Sequence, residues 1–134
     1  MTILNLTQHA ATPEQVAAGV VEPNNADKAA IKTALTFNAL PSDGEMHGRA
    51  AAIVAIAKRG GATQVMVGGA PFFLPWLESA LLGEGIVPLH AFSRRVSVET
   101  VQPDGSTRKE SVFRHEGFIP SAAIAVRRAL QIGG

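Results

Sequence analysis

The stretch that decides the fold is Val65-Met66-Val67-Gly68-Gly69-Ala70-Pro71-Phe72-Phe73-Leu74, where the hydrophobic period changes within a few residues. An apolar run ends at two glycines, and a helical pattern begins directly after the proline. A strand that turns through glycines into a helix leaves free backbone N–H groups at the helix N-terminus, where an anion can bind. The pattern therefore indicates either an anion site or simply a tightly packed turn.

The segments around this stretch predict alternating strands and helices. Strands are expected from Ile3 to Leu6, from Thr63 to Val67 and from Ile86 to Phe92. Helices are expected after Thr12-Pro13-Glu14-Gln15, which has the form of a capping box, from Asp27 to Leu35, after Ser42 and from Pro71 to Leu82. Strands that alternate with helices favour a mainly parallel sheet with right-handed crossovers.

The pattern changes after Arg95. Two β-rich segments, Val96 to Val101 and Thr107 to Phe113, flank Pro103-Asp104-Gly105, which is a strong turn signal. An antiparallel hairpin is expected there, followed by a last helix from Ser121 to Leu130. The fold class is therefore α/β, with one domain over residues 1–134 that ends in a β-hairpin and a helix.

Composition narrows the class of protein. The chain has 134 residues, of which 46% are hydrophobic, enough for one buried core. It contains no cysteine, so disulfides and thiolate metal sites are excluded, and no apolar run approaches the roughly 18 residues of a membrane span. A net charge of +1 argues against a partner such as duplex DNA. A soluble, cytoplasmic protein is expected.

Three loops carry polar groups at the predicted carboxyl ends of the strands, where open α/β sheets bind ligands. They are Thr7-Gln8-His9, Gly68-Gly69-Ala70 and Ser93-Arg94-Arg95. Backbone amides, guanidinium groups, hydroxyls and an imidazole together suit a phosphate ester better than an apolar metabolite. This convergence predicts a binding site for a compact anion.

Each of these residues also has a purely structural interpretation. His9 is either a general acid or base or a strand-end histidine bonded to backbone, and His115 either reaches the site or ends an exposed strand. Arg94 and Arg95 point in opposite directions if the strand continues, so at most one faces a ligand easily. His90 lies inside the third predicted strand, where a satisfied core histidine is expected.

Several kinds of chemistry find no support in the motifs. The four histidines are scattered without metal-ligand spacing, so no metal or other cofactor is expected. No Gly-Lys-Ser/Thr follows the glycines, and no Gly-x-Ser-x-Gly elbow occurs, which argues against a Walker-type site and an ordinary α/β-hydrolase.

The N-terminal residues Leu4-Asn5-Leu6-Thr7-Gln8-His9-Ala10-Ala11-Thr12-Pro13-Glu14-Gln15 resemble the start of small CRISPR-associated ring nucleases. Gly68-Gly69-Ala70-Pro71 and Gly85-Ile86-Val87-Pro88 are also similar to segments of that family. The resemblance implies a single Rossmann-like, CARF-like domain that acts as a homodimer. It also implies degradation of cyclic oligoadenylate, a second messenger of type III CRISPR defence.

The implied reaction is metal-independent attack of a ribose 2′-hydroxyl on the adjacent phosphodiester, which gives a 2′,3′-cyclic phosphate. Under this hypothesis the catalytic residues are His9, Ser93 and Arg94. The ligand-binding residues are Thr7, Gln8, Gly68, Gly69, Ala70, Arg95 and His115.

Three other interpretations of the same residues stay open. A nucleotide-sensing or sponge module would use these loops without turnover. A transferase or glycosidase acting on nucleotides would need a carboxylate nucleophile at a strand end, for which Glu99 is the candidate. A purely structural dimer would need no ligand.

Overall fold

The computed structural model describes residues 2–123 and Leu130. Within this part the chain forms five strands, β1 (Ile3–Asn5), β2 (Val20–Val21), β3 (Gln64–Met66), β4 (Val87–Val101) and β5 (Thr107–Pro120). The helices are α1 (Pro13–Ala17), α2 (Asn25–Leu35), α3 (Asp43–Arg59) and α4 (Leu74–Gly83). None of these helices combines the length and the apolar character needed to span a membrane.

The strands form one mixed sheet in the order β2-β1-β3-β4-β5. β1 pairs in parallel with both β2 and β3, β3 pairs in parallel with β4, and only β5 is antiparallel to its neighbour. The chain therefore leaves β1 toward β2 on one side, whereas the later strands are added on the other. Such a reversal opens a crevice at the carboxyl ends of β1 and β3.

Local sequence signals account for the ends of the helices. Thr12 and Gln15 form the expected capping box at α1, and Ser42 caps α3 by accepting a hydrogen bond from the Glu45 N–H. The caps satisfy backbone N–H groups that would otherwise lack partners. Asn24 does the same for α2, which starts two residues before the predicted Asp27.

The core lies mainly on one face of the sheet. Successive residues at the end of β3 and directly after it point to opposite faces, so Val65 and Val67 join a large buried cluster while Met66 joins a smaller one. The large cluster combines the sheet with α2, α3 and α4, and its fully buried side chains include Phe73, Leu77 and Leu81. The sheet and these helices thus form the packed body that holds the strand ends.

The region after the third strand differs from the prediction. β4 runs without interruption through Phe92-Ser93-Arg94-Arg95, so the expected loop at Ser93 and the expected separate hairpin strand at Val96 are wrong. β5 pairs with β4 from Leu89 to Val101, and no glycine or proline interrupts this part of β4. A register shift between Phe92 and Ser93 is the only trace of the predicted break.

Two smaller expectations are also corrected, and one stays outside the described residues. The short strand β2 lies in a segment for which no strand was expected, and α4 begins at Leu74 rather than at Pro71. The hairpin turn at Pro103-Asp104-Gly105 is confirmed, with Gly105 at a φ of 85°. The predicted helix from Ser121 to Leu130 falls mostly outside the described residues, and within it the described residues Ala122, Ala123 and Leu130 are helical.

Candidate functional site

An open cleft of about 530 Å³ lies at the carboxyl ends of β1, β3 and the parallel part of β4. This volume is within the usual range for small-molecule sites. The cleft coincides with the crevice where the strand order reverses, as expected for a parallel α/β sheet. Its walls are formed by Thr7, Gln8, His9, Ala10, Thr12, Gln15, Met66, Val67, Gly68, Gly69, His90 and Ala91.

The loop that carries Thr7, Gln8 and His9 is held by Asn5, which is 1% exposed at the end of β1. Asn5 Oδ1 accepts hydrogen bonds from the Thr7 backbone N–H at 2.9 Å and from the Thr7 hydroxyl at 2.7 Å. Asn5 Nδ2 donates to the His9 carbonyl at 2.8 Å. A buried amide with its bonds satisfied on both sides fixes the shape of the loop.

Glu22, which follows β2, completes this network. Its carboxylate accepts hydrogen bonds from Asn5 Nδ2 and from the Ala11 N–H, each at 2.8 Å, and forms an ion pair with Lys28. Burial alone would raise the pKa of Glu22, but the hydrogen bonds from Lys28, Ala11 and Asn5 together hold that pKa below its ordinary value. The loop after β1 is therefore tied to β2 and α2.

The glycine turn after β3 forms the middle of the cleft. A Cβ on Gly68 would lie 3.3 Å from Thr7 Cγ2, so the absence of a side chain lets the two loops approach closely. Gly69 has a φ of 143°, which L side chains rarely adopt, and its position lies against Leu35. Both glycines line the cleft, so their backbone faces any ligand bound there.

The sequence pattern indicated that the glycine turn leads directly into a helix N-terminus, but in the structure it does not. The Ala70 carbonyl accepts hydrogen bonds from the N–H groups of Phe73 and Leu74, which form a separate turn before α4. Ala70 itself is half-buried against the large core cluster and does not line the cleft. Any anion binding at this turn therefore depends on loop amides rather than on a helix dipole.

His90 is the residue that the sequence interpretation placed incorrectly. Its side chain is 37% exposed and lines the cleft, instead of lying in the core. Its Nε2 contacts Glu78 Oε1 of α4, and the Glu78 side chain is only 12% exposed. Leu89 points into the smaller core cluster, so alternation directs His90 to the opposite face, where α4 lies. Its position just past the parallel pairing of β4 with β3 then exposes it to the cleft, which the sequence pattern did not indicate.

Besides Ala70, four predicted site residues lie outside the cleft, and all four belong to β4 or β5. Ser93, Arg94 and Arg95 are exposed on β4, and Arg94 is four residues beyond His90, about 13 Å along the strand. Arg94 Nε pairs with Glu116 Oε1 at 2.7 Å, and the Arg95 guanidinium lies 5.4 Å from the centre of the Phe113 ring. His115 lies on β5, where it pairs with Ser93 of β4 and packs against Phe118, with ring centres 4.8 Å apart.

Two further expectations concern carboxylates and metals. Glu99 is exposed on β4 opposite Lys109, far along the strand from the cleft, so it is not at the strand end that the glycosidase interpretation requires. Residues 2–123 and Leu130 contain no cluster of three or more His, Asp or Glu side chains able to hold a metal ion.

The cleft thus combines hydroxyl, amide and imidazole groups with the backbone of a glycine turn. No Arg or Lys of the described residues lines it, which differs from the expected guanidinium contact. The groups present can bind phosphate oxygens by hydrogen bonds and can transfer protons through two histidines. Among the described residues, they do not supply a fixed positive charge.

Comparisons with known proteins identify a family but no named activity. No curated protein and no solved structure matches the chain. A family model described as "Uncharacterized protein MJ1673 family" matches residues 1–119, a span that includes every strand of the cleft. The chain therefore belongs to the MJ1673 family.

Proposed function

We propose that this protein binds cyclic oligoadenylate in the cleft and cleaves it without a metal ion. The observation that carries the proposal is the position of the cleft at the strand-order reversal, with His9 on one wall and Gly68-Gly69 in the middle. The resemblance of the N-terminal residues to small ring nucleases supports the choice of substrate. The cleft volume suits one nucleotide unit of a larger ring.

The proposed reaction needs only groups that the cleft offers. The ribose 2′-oxygen forms a bond to phosphorus, the bond from phosphorus to the 5′-oxygen breaks, and a 2′,3′-cyclic phosphate results. The proton lost by the 2′-hydroxyl is balanced by one gained at the 5′-oxygen. His9 exchanges one of these protons, and the Gly68 and Gly69 amides bind the non-bridging oxygens as charge develops on them.

The remaining cleft residues act on binding. Thr7, held by Asn5, and the exposed Gln8 offer polar groups to the ribose or the base. Holding the 2′-oxygen, phosphorus and 5′-oxygen in line accounts for a large part of such catalysis. Rigid support of the loop by Asn5 and Glu22 favours that alignment.

We further propose a Rossmann-like, CARF-like domain that acts as a cytoplasmic homodimer. The parallel sheet with its crevice between β1 and β3 supports the fold type. A two-fold dimer would present two clefts to one ring, which matches the symmetry of a cyclic oligonucleotide. Neither duplex DNA nor a membrane is part of this proposal.

The deciding experiment incubates the purified protein with cyclic tri-, tetra- and hexa-adenylate in EDTA. Mass spectrometry should detect linear products with 2′,3′-cyclic phosphate ends from at least one ring. The matched control is the same ring built from 2′-deoxyadenylate, which should bind but stay intact because it lacks the nucleophile. Cleavage of the deoxy ring, or no cleavage of any ribose ring, would overturn the proposed mechanism.

A sensor or sponge is the second candidate, and one observation favours it. The described cleft contains no guanidinium or ammonium group to stabilise the charge of the transition state. Tight binding of a ribose ring with no product after prolonged incubation would decide for this function. Calorimetric titration of each ring measures the binding independently of turnover.

A further inference from the structure

Two histidines flank the glycine turn from opposite sides. His9 follows β1, His90 lies on β4, and β3 with Gly68 and Gly69 runs between them. The axes of β1 and β4 are separated by two strand spacings, about 10 Å. A phosphodiester resting on the glycine turn would therefore have one imidazole on each side.

The contact between His90 and Glu78 gives His90 a defined orientation. Glu78 is largely buried on α4, and its Oε1 is in hydrogen-bonding contact with Nε2 of His90. A carboxylate is an acceptor only, so this contact favours the neutral tautomer with hydrogen on Nε2. Nδ1 is then left with a free lone pair, which can accept a proton.

We infer that His90 is a second proton-transfer group of the cleft and that Glu78 is its positioning residue. This inference rests on the proposed function. Nδ1 of His90 takes the proton of the attacking 2′-hydroxyl, and His9 donates a proton to the departing 5′-oxygen. In-line displacement places the attacking and departing oxygens on opposite sides of phosphorus, which is where the two histidines lie.

The exposure of His90 separates this role from a structural one. A histidine kept only to satisfy a buried carboxylate could be fully covered, whereas His90 is 37% exposed and lines the cleft. Glu78, by contrast, contacts the cleft only through His90, because it is not among the lining residues. His90 and Glu78 thus have the arrangement of a general base and the group that orients it.

The kinetic test compares His90→Gln and Glu78→Gln with the wild-type protein on the ring that is cleaved. His90→Gln places an amide near the position of Nε2, so it can keep the contact with Glu78 but cannot exchange the proton. Its kcat should fall by about 10²- to 10⁴-fold, the usual contribution of general acid–base catalysis, while KM changes little. Glu78→Gln should lower kcat less, because the imidazole is retained.

The matched control is His47→Gln, which replaces an exposed histidine of α3 that lines a different surface cavity. Its kcat should equal that of the wild-type protein. An unchanged kcat for His90→Gln, with cleavage by the wild-type protein established, would overturn the inference while leaving the proposed function intact.

A second measurement does not depend on turnover. Long-range ¹H–¹⁵N NMR spectra of the neutral imidazoles should show the Nε2–H tautomer for His90 in the wild-type protein and a mixture of tautomers in Glu78→Gln. The opposite tautomer in the wild-type protein would remove the free Nδ1 and overturn the assigned proton path. Failure of the proposed function would instead show as intact rings with the expected tautomer.

Discussion

Gly68 and Gly69 shape the cleft for two different physical reasons. Gly68 is needed for space, because an added Cβ would lie 3.3 Å from Thr7 Cγ2. Gly69 is needed for its backbone as well, because its φ is 143° in addition to a distance of 3.3 Å between an added Cβ and Leu35 Cδ2. The two glycines should therefore respond differently to the same substitution.

We expect Gly69→Ala to lower the free energy of unfolding by about 1–3 kcal/mol, the usual cost of a side chain in a sparsely populated backbone region. Gly68→Ala should cost less, since the Thr7 methyl group can shift by a few tenths of an ångström, but it should weaken ligand binding. Gly48→Ala is the control, because nothing lies within 4 Å of its Cβ and α3 should gain about 0.5–1 kcal/mol. Urea unfolding measures all three, and equal effects at Gly68 and Gly69 would contradict this account.

The loop after β1 is supported by a link between β1, β2 and α2. Asn5 ends β1, Glu22 follows β2, and Lys28 belongs to α2, so one hydrogen-bonded network joins three elements that support the cleft loop. The network needs the ionised form of Glu22, because a protonated carboxyl group loses acceptor sites and the attraction of Lys28. The stability of this corner should therefore depend on pH.

The sign of the dependence follows from the lowered pKa of Glu22 in the folded protein. Stability from a carboxyl group of this kind is present above its ordinary pKa of 4.5 and is lost as the pH falls through the lower folded value. We expect Glu22→Gln to melt at a lower temperature than the wild-type protein at pH 7. The difference should shrink as the pH falls below 4.5, as scanning calorimetry can measure. A constant difference from pH 7 to pH 3 would contradict the assigned role.

Local sequence signals predicted the helix caps and the hairpin turn, but not the length of β4 or the start of α4. Capping signals at Thr12 and Ser42 and the turn at Pro103-Asp104-Gly105 were confirmed because each depends on neighbouring residues alone. The continuation of β4 past Phe92 was missed, because it depends on pairing with β5, whose residues come later in the chain. The start of α4 was placed too early, since Phe73 is buried in the core as a turn residue before the helix.

At the scale of the whole molecule, β4 and β5 extend beyond the body as a ribbon, defined here as residues 93–115. One face of the ribbon carries Arg95, Glu99 and Lys109 beside Phe113, which is 65% exposed. A two-stranded ribbon is marginally stable alone, so its apolar side chains gain from a second surface. Both charge signs on one face suit a two-fold contact with a second copy of this chain.

We expect Phe113→Ser to shift the protein from dimer to monomer, because it removes the large apolar side chain of this face. Sedimentation velocity over a range of concentrations measures the mass. Leu40→Ser is the matched control, since Leu40 is 98% exposed on the connection between α2 and α3 and its loss should leave the dimer intact. A monomeric wild-type protein would contradict the proposed homodimer directly.

The sequence by itself determined the α/β class, the parallel βαβ unit and the polar character of the loops after β1 and β3. These features depend on hydrophobic period, caps and turn residues, which act over a few neighbouring positions. The Thr7-Gln8-His9 loop and the Gly68-Gly69 turn accordingly lie together in the cleft, as expected for two adjacent parallel strands.

Only the tertiary structure decided what completes the cleft. Strand pairing places Ser93, Arg94 and Arg95 in the ribbon, away from the cleft. It places His90 in the cleft wall formed by β4, where His90 contacts Glu78 of α4. Residues 78 and 90 are joined by packing between a helix and a strand, which no local pattern specifies. The Gly68-Gly69 turn therefore stands between two histidines, because the order of strands in the sheet places β3 between β1 and β4.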